Sequence, residues 1–173
     1  MMDTLQINAA LCSHPITSPY FRGTFPADQL PRCVLSRPSI LVANTDKADA
    51  PGEHWVGFML PSEEEVIEYY DSFGLPPNNP SFNSFVQRNA RICVYNNNQV
   101  QHYLSDSCGM FVCVFLLFRC KGFSISSIKE MFSNQTEYNE KEVKRLFALN
   151  FSGFNFSNSP TASSYCGLTQ IGR

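Results

Sequence analysis

The sequence predicts an α+β fold, and three features carry that prediction. Residues 54–60 and 65–71 form two β-rich runs, His54-Trp55-Val56-Gly57-Phe58-Met59-Leu60 and Glu65-Val66-Ile67-Glu68-Tyr69-Tyr70-Asp71, joined by Pro61-Ser62-Glu63-Glu64, which is the pattern of a hairpin. Residues 108–118 are apolar on every side, as in a helix buried in the middle of a domain. Helical spacing returns at 126–132 and 139–150, where Val143, Leu146, Phe147 and Asn150 line one side. Strands followed by helices make the α+β pattern.

The remaining elements follow in chain order. Residues 1–38 carry Pro15, Pro19, Pro26, Pro31 and Pro38, so an irregular arm is expected, with one short helix near its start and Tyr20 and Phe21 as anchors. Residues 40–43 read as a short buried strand, and the polar stretch 44–52 as a loop that delivers the chain to His54. Phe82, Phe85 and Val86 are spaced for an amphipathic helix over 80–89, and 91–95 returns to strand. Serine or aspartate at 105–107 is positioned to cap the buried helix. Residues 151–173 hold one charge and many serines and asparagines, which suggests a loosely attached tail pinned at its start by Phe151, Phe154 and Phe156. No repeat or linker divides the chain, so 1–173 is expected to be one domain.

Composition narrows the function. The 173 residues are 43% hydrophobic, 13% aromatic and only 16% charged, which excludes intrinsic disorder and a coiled coil. A net charge of −2 argues against a dedicated nucleic-acid binder. The seven cysteines are an odd number and no apolar leader precedes them, so secretion with a full disulfide set is not expected. None of them forms a C-x-x-C pair, and Cys12-Ser13-His14 is too tight for the usual zinc pattern, so no metal is expected. The longest apolar stretch, 110–118, is about half of what a bilayer-spanning helix needs. A soluble protein of a reducing compartment is the expectation.

Chemistry concentrates on Cys108. It precedes Gly109 at the start of the buried helix, where unpaired N–H groups and the helix dipole favour a thiolate, and the glycine would leave room for a substrate carbonyl. A buried cysteine is also simply a small apolar residue, the reading that suits Cys113 and Cys120. The hairpin shifts that balance. If Leu60 faces Glu65, paired numbers sum to 125 and His54 falls opposite Asp71, close enough for a carboxylate to orient an imidazole. Acyl transfer also needs a donor for the developing oxyanion, and Gln101 or Gln99 could supply one with the backbone N–H of Cys108.

His54-Trp55, then Asp71 followed by a residue and Phe73-Gly74, then Gln101-x6-Cys108-Gly109 resembles the adenovirus-type cysteine endopeptidases (adenain), relatives of the ubiquitin-like-protein proteases. Pro19-Tyr20-Phe21-Arg22-Gly23-Thr24-Phe25 and Val42-Ala43-Asn44-Thr45 extend the likeness, which covers about residues 18–118. The acid of that family is often glutamate. Asp71 is instead what the ubiquitin-like-protein proteases use.

The resemblance implies a cysteine protease fold with a central mixed β-sheet and a buried helix carrying the nucleophile at its N-terminus. It implies His54 as general base, Asp71 as orienting acid, Cys108 as nucleophile and Gln101 as oxyanion donor, with Trp55 beside the site. It further implies a monomeric thiol protease of a virus or virus-like mobile element, found in the virion and host nucleus, that cuts structural precursor proteins near glycine during maturation. The alternatives are a protease of ubiquitin or a ubiquitin-like modifier, and an inactive binding relative, although no catalytic residue is missing. Members of the family are activated by a viral peptide tethered to a cysteine resembling Cys93, and by DNA. Because Lys141, Lys144 and Arg145 alternate with Glu140 and Glu142, DNA binding is not expected here.

Overall fold

A computed structural model describes residues 1–153. The predicted tail over 151–173 therefore lies, beyond its first three residues, outside the described residues. The elements run α1 (Thr4–Ser13), β1 (Phe21–Phe25), a 3-10 turn at Ala27–Gln29, β2 (Ser39–Asn44), β3 (Trp55–Leu60), β4 (Val66–Tyr70), α2 (Pro80–Asn89), β5 (Ile92–Tyr95), α3 (Cys108–Cys120), α4 (Ile125–Lys129) and α5 (Thr136–Asn150). One mixed sheet has the order β1-β2-β3-β4-β5. Its outer pairs are parallel and its two inner pairs antiparallel. The α+β expectation holds.

Alternation along the strands separates two cores. Ile40, Val42, Trp55, Met59 and Tyr70 face α3 together with parts of α1 and α5. Leu41, Ala43, Val56, Phe58, Leu60, Ile67 and Tyr69 face α2 and the segment around Ala27. Period-two side-chain direction makes one strand serve both layers. In the first core α3 packs against β3, α1, α4 and α5. Its Phe111, Val112, Phe115 and Leu116 are fully buried, each stabilising the fold by roughly 1.5–3 kcal/mol. Gly57 lets that helix approach β3, because a Cβ there would meet Val112 Cγ1 at 3.2 Å. Tyr70 stacks on Phe115 with ring centroids 4.2 Å apart. The helix stops at Gly122 (φ +90°), whose left-handed turn lets the Phe123 N–H close onto the Phe118 carbonyl.

The first 38 residues are more regular than their prolines suggest. Asp3 and Gln6 form a reciprocal capping box that starts α1. Pro19 and Pro26 bracket β1 rather than break it, and as an edge strand β1 needs hydrogen bonds only toward β2. Asn79 caps α2, and Pro80 occupies its first turn.

The hairpin register differs from the expected one. Gly57 pairs with Tyr70, Phe58 with Tyr69 and Met59 with Glu68, so paired numbers sum to 127 rather than 125. Continued outward, that register sets His54 opposite Phe73 and Asp71 opposite Val56. A shift of two preserves the face each residue takes, so His54 and Asp71 remain on one face as diagonal neighbours. The connection is longer than a four-residue loop, with Val66 N–H bonded to the Glu63 carbonyl inside it.

Candidate active site

Three elements converge on one point: the start of β3, the turn after β4 and the N-terminus of α3. His54 Nε2 lies 2.8 Å from Asp71 Oδ1, so the diagonal geometry brings the two side chains together. Asp71 is buried, and its Oδ1 also accepts the Phe73 N–H at 2.8 Å, which fixes the carboxylate in the turn. The Phe73 ring lies against the imidazole, centroids 4.7 Å apart. With Nε2 given to Asp71, Nδ1 is left on the other side of the ring, and Cys108 is near enough to the imidazole to raise its pKa.

Burial alone would lower the His54 pKa. The hydrogen bond that the ring gives to Asp71, the nearby Cys108 side chain and the Asp71 charge outweigh it and raise the value from 6.5 to about 9. The imidazole is therefore charged at neutral pH. Since the folded state holds this proton more tightly than the unfolded chain, the resulting stabilisation is complete below pH 6.5 and lost as pH rises through about 9. Urea unfolding of the wild type and His54→Ala at about pH 6 and about pH 10 should show the wild-type advantage shrinking by on the order of a few kcal/mol at the alkaline end. A gap that widens with pH would reverse the sign of the coupling.

Cys108 opens α3, and its own preceding residue, Ser107, is the N-cap. The expected side-chain cap is not made: Ser107 gives no cap hydrogen bond, and its hydroxyl is buried without a partner. The Met110 N–H closes onto the Ser107 carbonyl at 2.9 Å, so the N–H groups left for an anion at the start of α3 are those of Cys108 and Gly109. Gly109 also has a packing reason. Its missing side chain makes room for Met2, whose Cβ lies 2.9 Å from where a Gly109 Cβ would stand. Met2 also accepts, through its carbonyl, the Trp55 indole N–H at 2.8 Å, so Trp55 and Met2 together wall the start of the helix.

Gln101 is 1% exposed. Its Nε2 donates one hydrogen to the Ser105 carbonyl at 3.0 Å, leaving the second free, and its Oε1 accepts the Ser72 hydroxyl at 2.5 Å. Gln99, the alternative donor, spends its amide on the Gln101 carbonyl at 2.9 Å and so supports the backbone. Glu68, on the strand that leads to Asp71, pairs with Arg119 through two contacts of 2.5 and 2.7 Å, so its carboxylate is held away from His54. Cys93 is elsewhere, in β5. Its side chain packs half-buried on the α2 face, and burial pushes its pKa up.

Residues that pattern reading passed over hold the acid. Asn96 clamps the Asp71 backbone from both ends, accepting its N–H at 2.9 Å and donating to its carbonyl at 2.6 Å. Nothing in Asn96-Asn97-Asn98 marks one asparagine out. Only the parallel pairing of β5 with β4 puts the end of β5 beside the end of β4.

No protein-family model matches this sequence, and no curated protein matches it. Solved structures do. The ASFV pS273R protease superposes with a TM-score of 0.61 at 17% identity, covering 87% of this chain and 67% of that one. ChlaDub1 from Chlamydia trachomatis superposes with a TM-score of 0.59 at 16% identity, covering 92% of this chain and 96% of that one. The mixed five-stranded sheet with its helices is the fold that these two structures share.

Proposed function

We propose that the protein is a cysteine protease in which Cys108 is the nucleophile, His54 the general base and acid, Asp71 the orienting carboxylate and Gln101 an oxyanion donor. The observation that carries this reading is the 2.8 Å contact of His54 Nε2 with Asp71, made beside the helix N-terminus at which Cys108 stands. The sulfur attacks the scissile carbonyl carbon, and the displaced π electrons become an oxyanion held by the Cys108 N–H and the free Gln101 N–H. Collapse breaks the C–N bond, and His54 gives its proton to the leaving amine. Water, deprotonated by His54, then attacks the acyl carbon, and collapse expels the Cys108 thiolate beside the reprotonated imidazole.

The substrate reading is a maturation endopeptidase of viral type that cuts structural precursors beside glycine, acting as a monomer in virion and host nucleus. The motifs around His54, Asp71, Gln101 and Cys108, and a fold like that of the viral pS273R protease, support it. The wall of Trp55 and Met2 beside the helix start favours small residues next to the reacting carbonyl. The second reading, a modifier protease, draws on Asp71 in place of glutamate and on the likeness to ChlaDub1 over nearly all of that chain. Glycine-containing precursor peptides should be hydrolysed and ubiquitin or SUMO fusions left intact, read by gel and mass spectrometry. Efficient cleavage of a fusion would select the second reading.

Peptide activation is proposed through β5, which ends the sheet order and exposes Ile92 and Val94. Main-chain pairing suits that edge better than a disulfide, since the Cys93 thiol is half-buried. DNA activation is disfavoured by the mixed charge of α5, where Arg145 is paired with Glu142 at 2.6 Å. Among the described residues no helix is long and apolar enough to cross a membrane.

A further inference from the structure

We infer that Ser72 and Glu140 are positioning residues for the Gln101 amide, setting the oxyanion side of the site separately from the imidazole–thiol pair; this rests on the reading of Gln101 as a donor. A carbonyl oxygen can only accept, so the contact with the Ser105 carbonyl at 3.0 Å determines which end of the Gln101 amide is nitrogen. The Ser72 hydroxyl then must donate to Oε1, and at 2.5 Å, with both residues buried, it holds the amide against rotation. The Ser72 carbonyl also accepts the N–H groups of Val100 and Gln101 at 2.9 and 3.1 Å, so Ser72 grips both the main chain and the side chain of the glutamine loop.

The far side of that loop is held by α5. Glu140 Oε1 accepts the His102 N–H at 3.0 Å and the Ser105 hydroxyl at 2.8 Å. Asn139, fully buried, donates to the Val100 carbonyl at 3.0 Å. The residues on either side of Gln101 are thus tied to one helix, and the Ser105 carbonyl that receives the Gln101 amide belongs to a residue anchored by Glu140. Ser72 adjoins Asp71 in sequence, so the turn that carries the acid also carries one support of the oxyanion donor.

The two supports should separate in kinetics, because alkylation of a thiolate by iodoacetamide develops no oxyanion whereas ester hydrolysis does. The probe is a glycyl p-nitrophenyl ester, with iodoacetamide uptake at Cys108 measured in parallel. Ser72→Ala and Glu140→Ala should each lower kcat by about 10- to 100-fold, as expected for a misplaced donor, with KM and the pH profile of alkylation unchanged. Glu140→Gln should stay within about threefold of wild type, since one amide oxygen can take both bonds and the other carboxylate oxygen, Oε2, is already without a partner. If Ser72→Ala does not fold, the Glu140 pair decides alone. Unchanged kcat in folded alanine variants, an equal fall in alkylation rate, or a Glu140→Gln as slow as Glu140→Ala would each overturn the inference. A Gln101→Ala enzyme at full rate would instead remove the donor reading on which it rests, and a wild type inert toward the ester would remove the protease reading itself.

Discussion

Cys108→Ala should hydrolyse no substrate at all, and His54→Ala should lose about 10⁴- to 10⁶-fold in kcat, with neither change unfolding the chain. The first removes the atom that forms the acyl bond. The second removes the proton carrier and, with it, the positive charge that sits between Asp71 and the thiol. Asp71→Asn should be milder, about 10²- to 10⁴-fold, because an amide oxygen can still accept the Phe73 N–H while the charge that holds the imidazolium is gone. Steady-state kinetics on variants checked by circular dichroism measure all three. Full activity in Asp71→Asn would move the orienting role to another group.

Gly74→Ala should combine a large loss of stability with loss of activity. Gly74 adopts φ +72°, and an added Cβ would lie 2.6 Å from the Asn98 carbonyl carbon and 2.8 Å from its oxygen, both backbone atoms that no rotamer change can move. The left-handed conformation alone costs an alanine about 1 kcal/mol, and relief of the clash must push the 96–101 loop away from the 71–74 turn. That loop carries Asn96 and Gln101, and the turn carries Asp71 and Ser72, so both sides of the site are displaced together. A total of about 2–4 kcal/mol, or a fall in Tm of roughly 5–15 °C, is expected, with kcat reduced by about 100-fold or more. Gly122→Ala is the control. Gly122 has φ +90° but nothing within 4 Å of an added Cβ, so only the conformational cost applies and activity should survive. Equal behaviour of the two variants would show that the close approach at Asn98 does not govern the site.

Local signals were enough for the parts of the fold that local physics decides. Helix α2 begins and ends where Asn79-Pro80 and the Phe82, Phe85, Val86 spacing imply, and the all-apolar run at 108–118 is the buried helix. Hairpin parity was legible because His54 and Asp71 must share a face whether paired numbers sum to 125 or 127. The register itself was not, since it depends on how residues 61–65 turn. Strand β1 escaped notice for a related reason: Phe21-Arg22-Gly23-Thr24-Phe25 is short, lies between prolines and becomes a strand by pairing with β2. At the site, the residue types with distinctive chemistry stood out. Their supports did not. Ser72 meets Gln101 across 29 positions and Glu140 meets His102 across 38, and serine or glutamate in a polar stretch carries no mark of such a partner. Gly109 shows the converse, a correctly noted glycine whose neighbour, Met2, only the folded chain reveals.

The central claim is that the His54–Asp71 pair activates Cys108, and cysteine reactivity tests it against simple exposure. Cys108 is 1% exposed, whereas Cys33 lies open to solvent. Brief iodoacetamide treatment near neutral pH followed by peptide mapping should label Cys108 first in the wild type, because the thiolate rather than accessibility controls the rate. In His54→Ala that preference should vanish. Faster labelling of Cys33 in the wild type, with Cys108 resistant in both proteins, would mean that Cys108 is a core thiol and would contradict the account.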